Sequence, residues 1–183
     1  TADNCVIGFW VFGSMLQEGM DVLKAMGFRQ TQTWVWVKTK QDPFTVLKKE
    51  LKKICKSQSD KKLSYNEICE QLDNFKLDDI LSFKMGRVFR QTHEIALIGI
   101  KGNVYKDRAN KAQRSVSFFP ATEHSEKPEI LHERLEKMFP DYKGNFVELF
   151  ARRDKVGWIC AGNECPSTMG EDIKDSIQRI KDM

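Results

Sequence analysis

Three side chains near the carboxyl end of this chain have the types and spacing to hold a hydroxyl-bearing ligand. Glu148-Leu-Phe-Ala-Arg-Arg153 reads as a strand that ends in charge, and Gly157-Trp158 leads on to Gly162-Asn163-Glu164. Glu148 and Phe150 alternate along the strand, which delivers Arg152 to its carboxyl end. The next turn offers an amide, Asn163, and a carboxylate, Glu164. A guanidinium, an amide and a carboxylate converging at a strand end can bind a polyhydroxy ligand, and carboxylates accept from ribose hydroxyls in nucleotide-binding α/β folds. The same three residues can equally form a surface salt-bridge cluster. The residues alone leave both readings open.

Two further segments carry candidate chemistry. Thr122-Glu-His-Ser-Glu-Lys-Pro128 stands between a strand and a helix. Pro128 suits the first helical position, which leaves Lys127 at a helix N-terminus, where the dipole disfavours a cation. A lysine held there needs solvent or an anion. His124 by itself is an ordinary loop histidine. Gly86-Arg-Val-Phe-Arg-Gln-Thr-His-Glu94 leads into a strand and then Lys101-Gly-Asn103. Gln41-Asp-Pro-Phe44 resembles the Asp-Pro-Pro-aromatic signature of amino-group methyltransferases, but with one proline. It reads as a turn with Asp42 as N-cap.

The elements that must position these residues alternate. Cys5-Val-Ile-Gly-Phe-Trp-Val-Phe12 is a continuous apolar run, expected as a strand buried on both faces. Leu16, Met20, Leu23 and Ala25-Met26 follow at helical spacing until Gly27. Thr33 to Lys38, Glu94 to Ile100, Ser115 to Phe119 and Phe146 to Phe150 are further strands. Between the last two, Pro128 opens a helix carrying Ile130, Leu131, Leu135 and Met138. Strands alternating with helices predict an α/β fold with a mostly parallel sheet, and ligands then belong at the carboxyl ends of strands.

Residues 41–85 interrupt this rhythm and are expected to be a small helical insertion. Phe44, Leu47, Leu51, Ile54 and Cys55 make an apolar stripe, with Lys48, Lys49, Lys52, Lys53 and Lys56 on the other face. Ser64-Tyr-Asn-Glu67 is a capping box, with Leu63 and Ile68 placed for a hydrophobic staple. Ile68, Leu72 and Phe75 continue a second helix, and Leu77 to Leu81 form a short third turn. The lysines can track phosphates, with affinity then falling steeply with salt, or form a solvated face.

The bulk composition bounds the answer. The 183 residues suffice for one domain, with 40% hydrophobic and 31% charged residues. No apolar run approaches the ~20 residues of a membrane helix. Net charge is +4 and the pI about 8.7, which suits an anionic partner. Cysteines 5, 55, 69, 160 and 165, with three scattered histidines, do not form a zinc-binding pattern. Reduced thiols in cytosol or nucleus fit best. Thr1 directly precedes a strand, so an upstream segment is expected.

Taken in order, Phe9-Trp10-Val11, Trp36-Val-Lys-Thr39, Gly86…Arg90-Gln-Thr-His-Glu94, Gly99-Ile-Lys-Gly-Asn103, His124-Ser-x-Lys-Pro128, Glu148 to Arg153 and Gly157-Trp158…Gly162-Asn-Glu164 resemble one family. It is the adenine-N6 methyltransferases, which include the catalytic subunit of the eukaryotic mRNA writer, ciliate DNA adenine methyltransferases and bacterial relatives. The resemblance covers nearly all of the chain except 41–85. It implies a Rossmann-like methyltransferase fold using S-adenosylmethionine, with permuted motif order, in a single domain spanning 1–183 that is incomplete at its N-terminus. Arg152, Asn163 and Glu164 would contact the ribose and adenine of the cofactor, with Glu148, Phe150 and Asp154 lining it. Lys127 would meet the methionine carboxylate. Lys38, Arg90, Glu94 and His124 would lie on the substrate side.

The family's Asp-Pro-Pro-Trp motif, which receives the target amine, is absent from these residues, so no catalytic residue is assigned in this chain. The expected activity is methyl transfer to the exocyclic amine of adenine in nucleic acid, DNA being favoured over RNA. A methyltransferase-like partner subunit and a nuclear location are also expected, with no membrane and no metal. The alternative is a non-catalytic subunit that binds nucleic acid and scaffolds an active partner. Retention of Lys127, Arg152, Asn163 and Glu164 argues against it.

Overall fold

A computed structural model describes residues 3–56, 63–121 and 126–182. These fall into two compact units, one of residues 8–99 and 114–121, the other of 3–7, 100–113 and 126–182.

The first unit is built on a four-stranded sheet of order β1-β3-β2-β4. The strands are β1 (Cys5–Val11), β2 (Arg29–Thr39), β3 (His93–Lys101) and β4 (Val116–Pro120), the first residues of β1 and the last of β3 being counted with the other unit. β2 and β4 are parallel, from Val35 opposite Val116 to Thr39 opposite Pro120. β2 and β3 run antiparallel: the Thr31 hydroxyl donates to the Ile98 carbonyl, whereas Lys38 N–H donates to the Thr92 carbonyl. The sheet is therefore mixed rather than mostly parallel. The chain between β2 and β3 returns to the end of β2 that it left, and so enters β3 in the opposite sense.

Tryptophans centre this unit. Trp34 and Trp36 are buried with Leu23, Ala96 and Leu97, each large side chain contributing about 1.5–3 kcal/mol. Trp10 meets Trp34 edge-on at 5.7 Å. The Trp36 indole N–H is satisfied by the Phe119 carbonyl at 2.9 Å. Helix α1 (Leu16–Ala25) packs closely, since a Cβ on Gly19 would lie 2.8 Å from Val11 Cγ2. It ends at Gly27, whose φ of +81° suits glycine. β1 is half-buried along its length and Phe12 is exposed, which corrects the expectation of burial on both faces. β1 ends the strand order, with one strand neighbour instead of two.

The described residues between 41 and 85 carry two helices and a 3-10 turn. Asp42 caps α2 (Pro43–Lys56), its carboxylate accepting from Thr45 N–H at 3.0 Å. The half-buried face of α2 comprises Pro43, Val46, Glu50, Leu51 and Ile54, while Phe44, Leu47 and Cys55 of the expected stripe are exposed. The Ser64–Glu67 capping box is formed at α3 (Tyr65–Leu72), and a 3-10 turn follows at Leu77–Ile80.

The second unit carries α4 (Ile130–Met138), β5 (Phe146–Leu149), β6 (Trp158–Ala161) and α5 (Ile173–Asp182). β5 and β6 are parallel, from Phe146 opposite Trp158 to Leu149 opposite Ala161. One core cluster joins Ile100, Val104 and Phe139 with Val6, Leu135, Met138 and Tyr142. Another joins Ala151, Cys160, Cys165 and Trp158. Three elements differ from expectation. Residues 158–161, read as part of a turn, form β6, because pairing with β5 supplies what a four-residue run cannot signal. α4 begins at Ile130, two residues after Pro128, with Glu129 as N-cap. The amphipathic α5 was not anticipated. Among the described residues, no helix is long and apolar enough to cross a membrane.

Candidate functional site

β5 and β6 point their carboxyl ends the same way, and Phe150, Arg152, Asn163 and Glu164 follow those ends. Immediately after β5, Phe150 adopts φ +62°, and it is the one non-glycine residue among those described with positive φ. Such a conformation costs about 1–2 kcal/mol and recurs where a fold presents a side chain for use. Phe150 is 74% exposed. The chain then recovers at once. Ala151 is buried and its N–H donates to the Ala161 carbonyl at 2.9 Å.

The turn after β6 closes onto that kink. A Cβ on Gly162 would lie 2.1 Å from the Ala151 carbonyl oxygen and 2.6 Å from its nitrogen, so only glycine fits. The buried Thr168 hydroxyl holds the turn, accepting from Gly162 N–H at 3.0 Å and donating to Gly162 O at 3.1 Å. Asn163 and Glu164 are thereby held at the strand end, exposed.

Arg152 and Glu164 meet as a two-pronged pair, Nε to Oε2 at 2.7 Å and Nη2 to Oε1 at 3.1 Å. The guanidinium holds the Glu164 carboxyl below its ordinary pKa, so it is ionised at neutral pH. A carboxylate fixed at one edge keeps lone pairs for ligand hydroxyls. Arg152 and Glu164 are thus in contact at the strand ends, with Phe150 and Asn163 near them along the chain.

Other candidates take different positions. Asp154 accepts from the Cys165 thiol at 3.2 Å. Hydrogen bonds from Ser167 and Cys165 hold its carboxyl below the usual range. Glu148 shares a face of β5 with Phe146, which stacks on Trp158 at 4.8 Å. Its carboxylate lies 3.5 Å from His132 Nε2 on α4. Burial pushes Glu148 up in pKa, and burial, with the nearby Lys155 cation, pulls His132 down to about 4. At neutral pH the ring in this contact is therefore uncharged, and at 3.5 Å the contact is weak. His132 Nδ1 is buried without a hydrogen-bond partner. The β5–β6 connection is tied to the α4 region by Arg153, paired with Glu126 and with Glu129 at 3.0 Å, and by Lys155, 3.3 Å from Glu129. Trp158 Nε1 donates to Glu136 at 2.5 Å. Lys127 stands three residues before α4, partly buried, next to the buried Pro128.

In the other unit, Lys38 is 3% exposed, its ammonium 2.5 Å from Glu94 Oε1 and 5.0 Å from the Trp36 ring centroid. Adjacent antiparallel strands bring these two residues together. Arg90 is exposed, its guanidinium 5.8 Å from the Phe83 ring centroid. His124 lies outside the described residues. On α2, Lys48, Lys49, Lys52 and Lys53 are all exposed. Lys49 donates to Gln41 at 2.5 Å and Lys53 pairs with Glu50.

Sequence reasoning missed Thr168 and His132. Thr168 follows a Pro-Ser dipeptide with no pattern to mark its hydroxyl. His132 is one polar residue among several on α4, and its burial depends on the packing of Trp158.

The site lies within residues 65–164, which match the MT-A70 family. That span is more than half of the chain, and the chain belongs to the MT-A70 family, which carries the α/β methyltransferase fold with it. The match begins at the first residue of α3. The chain is 26% identical over 161 residues to an N(6)-adenosine-methyltransferase MT-A70-like protein of Arabidopsis thaliana, covering 87% of this chain and 18% of that protein. It is 25% identical over 167 residues to the type II methyltransferase M.MunI of Mycoplasma sp, covering 91% of this chain and 53% of the relative. A probable N(6)-adenosine-methyltransferase MT-A70-like protein of Oryza sativa subsp. japonica is 26% identical, covering 87% and 17%. The chain thus spans about half of the bacterial relative and less than a fifth of each plant one.

Proposed function

We propose that this chain forms the methyltransferase domain of an enzyme that methylates the exocyclic amine of adenine in nucleic acid, using S-adenosylmethionine. The observation that carries this reading is the group Phe150, Arg152, Asn163 and Glu164 at the carboxyl ends of β5 and β6, inside the span shared with the family.

The residues fit the cofactor. Glu164, fixed by Arg152, offers carboxylate acceptors for the ribose diol. The exposed Phe150 ring offers a face for a purine. The Asn163 amide can donate and accept at a purine edge. Gly162 lets the backbone close up beneath them. Lys127, three residues before α4, supplies a cation for the methionine carboxylate. Glu148, beside His132, and Asp154, held by Cys165, are read as lining the same site. When bound, S-adenosylmethionine supplies an activated methyl group. This chain's part is to hold the donor in line with the acceptor nitrogen.

On the substrate side we place Lys38, Glu94, Arg90 and His124. The buried Lys38–Glu94 pair acts as a rigid root, and the exposed Arg90 can meet phosphate. The basic face of α2, with Lys48, Lys49, Lys52 and Lys53, supports a further contact with the nucleic-acid backbone. We read residues 1–183 as one domain with permuted motif order and 41–85 as an insertion, because the cofactor group follows β1–β4 in the chain. Since Asp-Pro-Pro-Trp does not occur in these residues, the activity is proposed for the whole protein, acting with a methyltransferase-like partner in the nucleus. DNA is the favoured substrate, because His124-Ser-x-Lys-Pro128 and Gly162-Asn-Glu164 resemble ciliate and bacterial members more than the mRNA writer.

Calorimetric titration of the whole protein with S-adenosylmethionine tests the site. Asn163→Ala is expected to weaken binding about tenfold, the worth of one good hydrogen bond. Unchanged affinity would reject this assignment.

A further inference from the structure

Between the short 3-10 turn and β3, the chain leaves the sheet and returns to it beside a single residue. Ser82 N–H donates to the Lys38 carbonyl at 2.9 Å, and Lys38 N–H donates to the Thr92 carbonyl at 2.8 Å. Both arms of the excursion are therefore anchored on the backbone of Lys38, whose side chain is itself buried and paired with Glu94. The arms join once more at an antiparallel bridge. There Lys84 N–H donates to Gln91 at 2.9 Å and Gln91 N–H to Lys84 at 3.2 Å. Beyond the bridge the turn is tight: a Cβ on Gly86 would lie 1.9 Å from the Phe89 carbonyl oxygen. The result is a rooted finger, residues 83–91, with every residue exposed.

Its composition is unusual for a solvated loop. Met85, Val88 and Phe89 are 85%, 88% and 87% exposed, and Phe83 is exposed as well. Lys84, Arg87 and Arg90 stand among them with no acidic residue between 83 and 91. Arg90 spans the base of the finger, over the Phe83 ring and with Nη1 3.3 Å from Met85 Sδ. That leaves Val88 and Phe89 at the tip. Grouped exposed apolar side chains mark a binding element, and three cations without an acid select a polyanion. An apolar wedge framed by cations is the form in which proteins enter a base stack.

We propose that the 83–91 finger inserts Phe89 into the base stack of a paired nucleic acid, displacing the adenine to be methylated while Lys84 and Arg87 hold the phosphates. The proposal rests on the methyltransferase reading for its purpose. An adenine inside a duplex keeps its amine out of reach until it is extruded. A side chain filling the vacated gap favours the extruded state.

The test uses the full-length protein with any subunit it carries, and duplexes of DNA and of RNA with 2-aminopurine replacing adenine in every nearest-neighbour context. Wild type is expected to raise the fluorescence as the probe unstacks. Phe89→Ser should cut that rise about threefold or more, whereas Phe89→Leu, which keeps an apolar wedge, should retain most of it. Gly86→Ala, which cannot close the turn, should resemble Phe89→Ser. An equal rise with Phe89→Ser, or no binding to either duplex, overturns the wedge. So does dissociation of a subunit by Phe89→Ser, since the tip would then be covered by protein. Methyl transfer to single-stranded oligonucleotides, measured in parallel, reads the underlying activity separately. If it is absent while the fluorescence response stands, the methyltransferase reading falls and the wedge does not.

Discussion

Arg152 and Glu164 grip each other through two hydrogen bonds, 2.7 and 3.1 Å, across the ends of two parallel strands. Both side chains are substantially exposed, so the pair contributes little to folding. On the proposed reading it serves the cofactor instead. Arg152→Ala and Glu164→Ala should each leave the melting temperature nearly unchanged and lower S-adenosylmethionine affinity. The double variant should lose little more than either single one, because the two residues act as a unit. Calorimetry and thermal denaturation on the same samples check both halves.

Phe150 holds a conformation that suits glycine. Phe150→Gly should relieve about 1 kcal/mol of backbone strain, raising or preserving the denaturation midpoint, and should still weaken cofactor binding through loss of the ring. A fall in stability with intact affinity would show that the ring serves packing.

Gly162 has no room for a side chain, since a Cβ there would meet the Ala151 carbonyl oxygen at 2.1 Å. Gly162→Ala should therefore destabilise the protein by about 1–3 kcal/mol and lower cofactor affinity together. Urea denaturation with a parallel titration reads the two losses.

His132 is held neutral at ordinary pH, with a pKa of about 4 against 6.5 when exposed. Above pH 6.5 neither the folded nor the unfolded chain protonates it. As pH falls from 6.5 towards about 4, the unfolded chain takes up the proton first and stability declines, levelling below about 4. At about 1.4 kcal/mol per pH unit, the effect approaches about 3 kcal/mol. Glu148, pushed up by burial, works the other way: its folded form gains as pH falls and loses as pH rises through its folded pKa. His132→Gln should flatten the acid limb between pH 6.5 and 4, measured as urea midpoint against pH.

Lys38 and Glu94 form the most buried ion pair among those described. Lys38→Met leaves the Glu94 carboxylate without its main cation and should cost about 3–5 kcal/mol. Lys38→Met combined with Glu94→Gln should recover part of that loss. A double-mutant cycle by chemical denaturation measures the coupling.

Much of this was legible from residue types. The apolar runs located β1 to β5, and Ser64 with Glu67 announced the cap of α3. Arg152, Asn163 and Glu164 announced a strand-end cluster. The rest depends on tertiary partners. Trp158 to Ala161 is a strand only because β5 lies beside it, and β3 reverses direction only because the chain returns to the end of β2 it left. The positive φ of Phe150 has no sequence signature, since phenylalanine rarely adopts it. The exposed tip of Val88 and Phe89 was equally hidden, because their apolar character argues for burial until the Lys38 anchor and the Gly86 turn are seen.

If the group at the ends of β5 and β6 holds the methyl donor for adenine methylation, the product itself should be measurable. The full-length protein, with any partner subunit, is incubated with S-adenosylmethionine and adenine-containing DNA and RNA, and N6-methyladenine is quantified by mass spectrometry of the digested nucleosides. Wild type should form product, in greater yield on DNA, and Asn163→Ala about tenfold less at limiting cofactor. No N6-methyladenine on either substrate, or equal yield from Asn163→Ala, would refute that role for the strand-end group.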